Sequence, residues 1–185
     1  MRNGCSVSYS ASRFARSPRG GVVVLVVMVC VSLSAVQLFD PIPRLIWNAS
    51  ASVPVGLYWL TTTKVVARGD LVLAWLPNSA RVLAAKRSYL PWNTPAVKRV
   101  AGLPGDIVCV RQVIVSIDGK PAEQALRVDK AGRALVPWQG CTVLEPDQVF
   151  LLNAASDSFD GRYFGPSERR DVFGTLTPVW TFQGD

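Results

Sequence analysis

The sequence predicts a mainly β domain with one short helix, tethered by a single N-terminal transmembrane helix. Three observations lead to this prediction. An uncharged apolar run lies near the N-terminus, short runs rich in Val, Ile, Leu, Phe and Trp recur after it, and turn signals containing Gly, Asp and Pro separate those runs. The length of 185 residues suits one ordinary domain with an appendage, and the 49% hydrophobic content excludes a disordered chain.

The appendage is the apolar segment 21–39. It contains 19 residues, none of them charged, and as a helix it measures roughly 28 Å, close to the thickness of a bilayer core. Four basic residues and no acidic residue precede it: Arg2, Arg13, Arg16 and Arg19. This asymmetry predicts that residues 1–20 stay in the cytoplasm and that residues 40–185 form a periplasmic or extracytoplasmic domain on the inner membrane.

This segment has two alternatives to an uncleaved anchor. A buried core helix is disfavoured because core helices are amphipathic, whereas this run is apolar all round. A cleaved signal peptide stays open, because Ser32-Leu33-Ser34 offers small residues for cutting, although the run is long for such a peptide.

The segment after the anchor is predicted to be mainly β. Its five strand-like runs are Val55–Leu60, Leu71–Leu76, Ile107–Ile117, Gln148–Leu152 and Gly174–Trp180. Asp118-Gly119-Lys120 predicts a hairpin, and residues 121–140 are polar enough to predict a surface excursion. Ala80–Lys86 predicts the one helix, with Asn78 or Ser79 as its cap.

The chain contains no histidine, which excludes a Ser-His-Asp triad, a Cys-His protease and a His-ligated metal site. Part of the net charge of +7 comes from the four N-terminal arginines that set the predicted membrane topology. Without them, 16 of the 20 basic residues remain against 13 acidic residues. No nucleic-acid partner is therefore predicted, although five basic residues cluster in sequence at Arg81, Lys86, Arg87, Lys98 and Arg99.

The cysteines divide by compartment under this topology. Cys5 is cytoplasmic, Cys30 lies in the apolar run, and Cys109 and Cys141 lie in the exported domain, where disulfides persist. We therefore predict that Cys109 pairs with Cys141, with two buried free thiols as the alternative. Two cysteines without histidine predict no metal site.

Three stretches carry residues able to perform chemistry, and the first is residues 48–58. It places Ser50 and Ser52 before Pro54 and Gly56. Alternate serines point to the same side of an extended segment, and the Pro-x-Gly turn can present a serine on an exposed bend. A plain Ser-rich linker has a similar composition, so this stretch alone leaves both interpretations open.

The other two stretches are residues 97–106 and 158–165. Residues 97–106 surround Lys98 with apolar neighbours. Because burial disfavours the ammonium, the neutral amine of Lys98 can act as a general base; a solvated lysine is the alternative.

Residues 158–165 place Ser158, Asp160 and Arg162 on one face if the segment is extended. The charged pair Asp160 and Arg162 is then either a structural ion pair or a support for a neighbouring active site.

Together the three stretches resemble type I signal peptidases, and within that superfamily the TraF-like conjugative-transfer signal peptidases. The motifs are Asn-x-Ser-x-Ser-x-Pro-x-Gly-x-Tyr, Lys-Arg-Val-x-Gly-Leu-Pro-Gly-Asp and Ser-x-Asp-x-Arg-Tyr-Phe-Gly, in this order behind an N-terminal anchor. General leader peptidases usually have Ser-Met-x-Pro-Thr at the nucleophile. They also have Gly-Asp-Asn where this chain has Leu152-Asn153-Ala154, and often serine where it has Gly161.

The resemblance implies a signal-peptidase-like β domain with a Ser/Lys dyad. Ser52 matches the nucleophile, Lys98 matches the general base, and the Ser50 hydroxyl with the Ser52 N–H matches the oxyanion donors. The residues that match the supporting wall of the site are Ser158, Asp160 and Arg162. No metal or organic cofactor is implied.

The implied function is removal of leader peptides from exported proteins, with a conjugative pilin precursor as the substrate. Joining of the pilin ends, in which an amine resolves the acyl-enzyme, is left open. The implied partners are the precursor and the lipid bilayer. A general leader peptidase of broad specificity and a non-catalytic, membrane-tethered β scaffold are the rival hypotheses. The aromatic residues Trp92 and Trp180 are equally consistent with contact to the lipid interface and with core packing.

Overall fold

The structure is a computed structural model that describes residues 18–39, 43–63 and 65–182. It divides into two units, Met1–Ile42 and Pro43–Asp185. The described part of the first unit is helix α1 (Pro18–Phe39), whose side chains from Gly20 to Ser34 are exposed. Within the described ranges, no helix has the length and apolar character that crossing a bilayer requires. The transmembrane tether stays a prediction, and most of the predicted cytoplasmic segment 1–20, with Cys5, lies outside the described residues.

The second unit is mainly β, as predicted. Its described residues form eleven strands and two short α-helices, which are β1 (Leu45–Asn48), β2 (Gly56–Thr61), β3 (Leu71–Ala74), α2 (Asn78–Lys86), β4 (Ala96–Gly102), β5 (Ile107–Arg111), β6 (Ile114–Ile117), β7 (Lys120–Gln124), β8 (Gly140–Val143), β9 (Gln148–Leu151), α3 (Gly161–Phe164), β10 (Ser167–Glu168) and β11 (Val172–Thr181).

Two antiparallel sheets organise these strands. The larger has the order β1-β2-β11-β3-β4-β9-β10, and the smaller has the order β7-β6-β5-β8. Strand β4 lies inside the larger sheet, between β3 and β9. It contributes Val97 to one buried apolar cluster and Val100 to another. Because a fully buried Val or Leu stabilises the fold by roughly 1.5–3 kcal/mol, β4 is firmly held on both sides of Lys98 and Arg99, which lie between these two valines.

The predicted strands coincide with β2, β3, β5, β6, β9 and β11. The run 107–117 is two strands, because Gln112 adopts a left-handed backbone with φ 57° and turns the chain into a hairpin. The predicted hairpin at Asp118-Gly119-Lys120 is confirmed, because β7 pairs with β6 across this turn. Strands β1, β4, β8 and β10 were not predicted as strands. Strand β1 is apolar but has only four residues, β8 and β10 are short and mostly exposed or polar, and Lys98 and Arg99 interrupt the apolar run of β4.

The helices differ from the prediction in two respects. Helix α2 begins at Asn78, after Pro77, and neither Asn78 nor Ser79 caps it; the Asn78 or Ser79 cap was wrong. Proline is suited to the start of a helix because its fixed φ matches helical geometry and it lacks the N–H that would stay unpaired there. The domain also has a second helix, the single turn α3, where the Asp160 side chain accepts a hydrogen bond from the Arg162 N–H.

The predicted disulfide between Cys109 and Cys141 is present. The two cysteines lie directly opposite each other in neighbouring strands β5 and β8. The sequence separation of 32 residues closes a loop that contains the whole predicted excursion 121–140. On the loop-entropy model, such a cross-link stabilises the fold by roughly 3–4 kcal/mol.

An exposed aromatic cluster lies where β1 and β11 flank β2. Its members are Trp47, Trp180 and Phe182, each about half exposed, with ring centroids 4.4–6.3 Å apart. The core-packing alternative for Trp180 is therefore wrong. Trp92 is also 46% exposed, and it stacks on the guanidinium of Arg81 at 4.1 Å.

Candidate active site

The loop between β1 and β2 presents the two serines of the first motif. Asn48, at the end of β1, is 5% exposed, and its Nδ2 donates to the carbonyls of Ser50, Val53 and Pro54. Its Oδ1 accepts from the Ser50 N–H at 3.1 Å. One side chain therefore fixes most of the backbone of the loop, as Asx side chains commonly do in turns.

The two serine hydroxyls lie together, as the alternating spacing predicts. Ser50 Oγ and Ser52 Oγ are 3.1 Å apart, and the Ser52 N–H donates to Ser50 Oγ at 3.4 Å. The two groups that the resemblance assigns to the oxyanion are therefore adjacent. Ser52 is half-buried and Ser50 is exposed, so a substrate carbonyl can approach from the Ser50 side.

Lys98 is buried in the middle of β4, with 5% of its surface exposed. Burial lowers the pKa of its ammonium from 10.5 to about 8; Asp160 opposes this by favouring the charged form, and Arg162 adds to it. Nζ donates to Ser158 Oγ at 3.0 Å. A substantial fraction of this lysine is neutral at mildly alkaline pH, which is what a general base requires.

Asp160 and Arg162 form a buried ion pair beside the lysine, and both are 0% exposed. Arg162 Nε lies 2.8 Å from Asp160 Oδ1. The guanidinium also donates to the carbonyls of Gln124, Asn153 and Ser156. It thereby connects the segment that carries Ser158 to the end of β7. The predicted supporting pair is fully hydrogen-bonded and lies behind the Ser158 side of the site.

Asn153 links the serine loop to β4. It is 1% exposed, and its Nδ2 donates to Ser52 Oγ at 3.2 Å, while its Oδ1 accepts from the Arg99 N–H at 2.9 Å. In the described part of the chain, Ser52 Oγ is hydrogen-bonded by Asn153 and Ser50, and Lys98 Nζ by Ser158. The predicted residues form two hydrogen-bonded groups, Ser50 and Ser52 with Asn153, and Lys98 with Ser158; among the described residues, no hydrogen bond joins Ser52 Oγ to Lys98 Nζ. Asn153 also bonds Asp160 and Arg162, so it links the serines to the buried ion pair beside Lys98.

The sequence analysis missed two residues of this region, Asn48 and Asn153. Asn48 opens the first motif, and Asn153 stood out only as a departure from general leader peptidases. The second departure, Gly161, has a steric cause. A Cβ at position 161 would lie 2.7 Å from the carbonyl oxygen of Leu151 and 2.9 Å from the ring of Phe150.

Comparison with known families decides which class of protein carries this arrangement. Residues 19–181 match the model of the family described as "Signal peptidase, peptidase S26". The chain belongs to the S26 signal peptidase family. This S26 member is 37% identical over 145 residues to a protein named "Conjugal transfer protein TraF" from Agrobacterium fabrum (strain C58), covering 73% of this chain and 81% of that one.

Two further similarities place this S26 chain among known proteins. It is 34% identical over 146 residues to a protein named "Plasmid transfer protein TraF" from Escherichia coli, covering 73% of this chain and 82% of that one. Among solved structures, it matches a signal peptidase I from Enterococcus faecalis V583 with a TM-score of 0.37 and 22% identity, covering 61% of this chain and 97% of that one.

Proposed function

We propose that this S26 family member is a membrane-anchored serine endopeptidase that removes leader peptides with a Ser52/Lys98 dyad. The observation that carries the proposal is that Lys98 is buried in β4 and that its pKa is lowered to about 8. Asn153 hydrogen-bonds both Ser52 and β4, and so links Ser52 to this strand. The chain has no histidine, so the base must be another group, and Ser-Lys dyads are a recognised variant of serine acyl transfer.

The proposed reaction has two steps. Neutral Lys98 takes the proton of Ser52 as its Oγ attacks the scissile carbonyl, and the oxyanion accepts hydrogen bonds from the Ser52 N–H and the Ser50 hydroxyl. The leaving amine takes the proton from Lys98, which leaves an ester on Ser52. Water or an amine then attacks the ester, and the proton returns to Ser52 Oγ through Lys98.

The proposed substrate is a conjugative pilin precursor, and the proposed process is pilus assembly. The support is the similarity to relatives named for conjugal and plasmid transfer, at 34–37% identity. If an amine of the same chain resolves the acyl-enzyme, the product is a ring. A general leader peptidase of broad specificity would instead process many unrelated precursors, and a scaffold would process none.

Mass spectrometry of the candidate pilin, incubated with the full chain, tests the dyad and the substrate together. Ser52→Ala and Lys98→Ala are each expected to slow leader removal by roughly 10³-fold or more, because each removes one half of the proton-transfer pair. Ser116→Ala and Lys86→Ala remove the same side chains outside the site and serve as controls. A cyclic product is one water lighter than the linear mature chain. Normal processing by either site variant contradicts the dyad.

We also propose that the protein is anchored in the inner membrane with its β domain in the periplasm. The uncharged run 21–39, the four arginines before it and the Cys109–Cys141 disulfide support this topology. The exposed aromatic cluster of Trp47, Trp180 and Phe182 has the composition that favours the lipid interface.

Cell fractionation and protease accessibility test the topology. The chain is expected in the inner-membrane pellet after an alkaline wash, and protease added to spheroplasts is expected to digest residues 40–185. A tag placed before Arg2 should stay protected until the membrane is permeabilised. Recovery of the full chain in the wash, or digestion of the tag in intact spheroplasts, contradicts the proposal.

A further inference from the structure

We infer that Asn153 orients the nucleophile: its side-chain amide holds Ser52 Oγ beside the strand that carries Lys98 and donates a hydrogen bond to the attacking oxygen. This inference rests on the proposed function, since it takes Ser52 as the nucleophile. Asn153 lies two residues beyond Leu151, the last residue of β9, and β9 pairs with β4. The sheet therefore brings its side chain to the edge of β4 at the level of Lys98.

The orientation of the Asn153 amide is fixed by its neighbours. Oδ1 lies 2.9 Å from the Arg99 backbone nitrogen, which can only donate, and Nδ2 lies 3.4 Å from the Val97 carbonyl oxygen, which can only accept. Exchanging Oδ1 and Nδ2 would break both contacts. The remaining hydrogen of Nδ2 therefore goes to Ser52 Oγ, at 3.2 Å.

The backbone of Asn153 is held as firmly as its side chain. Its N–H donates to Asp160 Oδ2 at 3.1 Å, and its carbonyl accepts from Arg162 Nη2 at 2.5 Å. Both members of the buried ion pair therefore position Asn153, and Asn153 positions Ser52. This gives the supporting pair a physical route to the nucleophile that does not pass through Ser158.

The donor on Ser52 Oγ has two chemical consequences. It occupies one lone pair of the oxygen, so the hydroxyl proton must point elsewhere. Ser50 Oγ, 3.1 Å away, shares a hydrogen bond with Ser52 Oγ in which either hydroxyl can donate, and in the reaction the proton goes to the amine of Lys98. It also stabilises the negative charge that develops on Oγ whenever the proton resides on Lys98, both as the Oγ–carbonyl bond forms and as that bond later breaks.

Acylation of Ser52 by a penem that reacts with serine, followed against pH in the full chain, tests this role. Asn153→Ala is expected to slow acylation roughly 10- to 100-fold, with KM for the precursor within about twofold of wild type. Asn153→Asp keeps the acceptor for the Arg99 N–H but replaces the donor by a carboxylate, which favours the ammonium of Lys98. Its pH profile is therefore expected to move to higher pH.

Tyr89→Phe is the structural control, because it removes a hydrogen bond of 2.5 Å to Asp129 and touches neither serine. It is expected to lower Tm without changing the acylation rate or its pH midpoint. If Asn153→Ala does not fold, the pH midpoint of Asn153→Asp decides. If both Asn153 variants show the wild-type acylation rate and pH midpoint while Ser52→Ala is unreactive, this inference alone is overturned. If Ser52→Ala still reacts, the proposed function is overturned.

Discussion

Replacing Lys98 by methionine is expected to abolish peptidase activity and yet stabilise the fold at pH 7. The buried amine has a pKa of about 8 in the folded protein, against 10.5 without burial. At pH 7 it must bind its proton in a site that disfavours the charge, which costs on the order of 3 kcal/mol. Methionine has a similar volume and no charge, so the free energy of unfolding should rise by that amount, minus the contribution of the lost hydrogen bond from Lys98 Nζ to Ser158 Oγ.

The pH dependence of this effect has a definite sign. Between about pH 8 and pH 10.5 the unfolded chain binds more protons at Lys98 than the folded chain does, so wild-type stability rises with pH over that window. The advantage of Lys98→Met is therefore full below pH 8 and absent above about pH 10.5. Wild-type activity should rise through a midpoint near pH 8, as the amine becomes neutral.

Urea unfolding of both variants across pH 7–10.5, together with the pH profile of wild-type cleavage, checks this prediction. Lys86→Met is the matched control, because it makes the same change at a lysine that is exposed at the end of α2. A Lys98→Met variant less stable than wild type at pH 7 would show that the ammonium is well solvated in the fold.

Replacing Asp160 by alanine is expected to lower the free energy of unfolding by about 3–5 kcal/mol, because it leaves the fully buried Arg162 guanidinium without its counter-charge. It also removes the cap of α3 and the acceptor of the Asn153 N–H. For a domain of this size, a loss of 3–5 kcal/mol is a large share of the total stability.

Thermal and urea unfolding of a double-mutant cycle measure this effect. Asp160→Ala with Arg162→Met is expected to recover part of the loss, since no unpaired charge stays buried. Lys130→Ala removes a partner of an exposed ion pair, that of Lys130 with Asp157, and is expected to change stability by less than about 1 kcal/mol. A loss of less than 1 kcal/mol in Asp160→Ala would contradict the prediction.

The sequence predicted the mainly β fold, the disulfide and the residues that meet at the site, because each leaves a local signal. Alternating apolar runs mark β2 and β11, and the three motifs carry Ser52, Lys98 and Ser158. Strands β1 and β8 were not predicted, because each has only four residues and most of these are exposed or half-exposed.

The role of Asn153 could not be predicted from the sequence for a physical reason. Its partners Ser52 and Arg99 lie 101 and 54 residues away along the chain. Arg99 meets it because β9 pairs with β4, and Ser52 reaches it from the loop between β1 and β2. A single polar residue after a buried strand is otherwise an ordinary strand end. The lowered pKa of Lys98, in contrast, was predicted from its apolar sequence neighbours, and the burial that causes it is completed by the flanking strands β3 and β9.

The position of the disulfide has a consequence for producing the protein. The loop closed by Cys109 and Cys141 contains Gln124 and Lys130, which contact Arg162 and Asp157 in the segment beside Lys98. Oxidative folding and the assembly of this segment are therefore coupled. An expression host that exports the chain, or an oxidising refolding buffer, is the appropriate source for kinetic work, since reduced protein would enclose Lys98 less tightly.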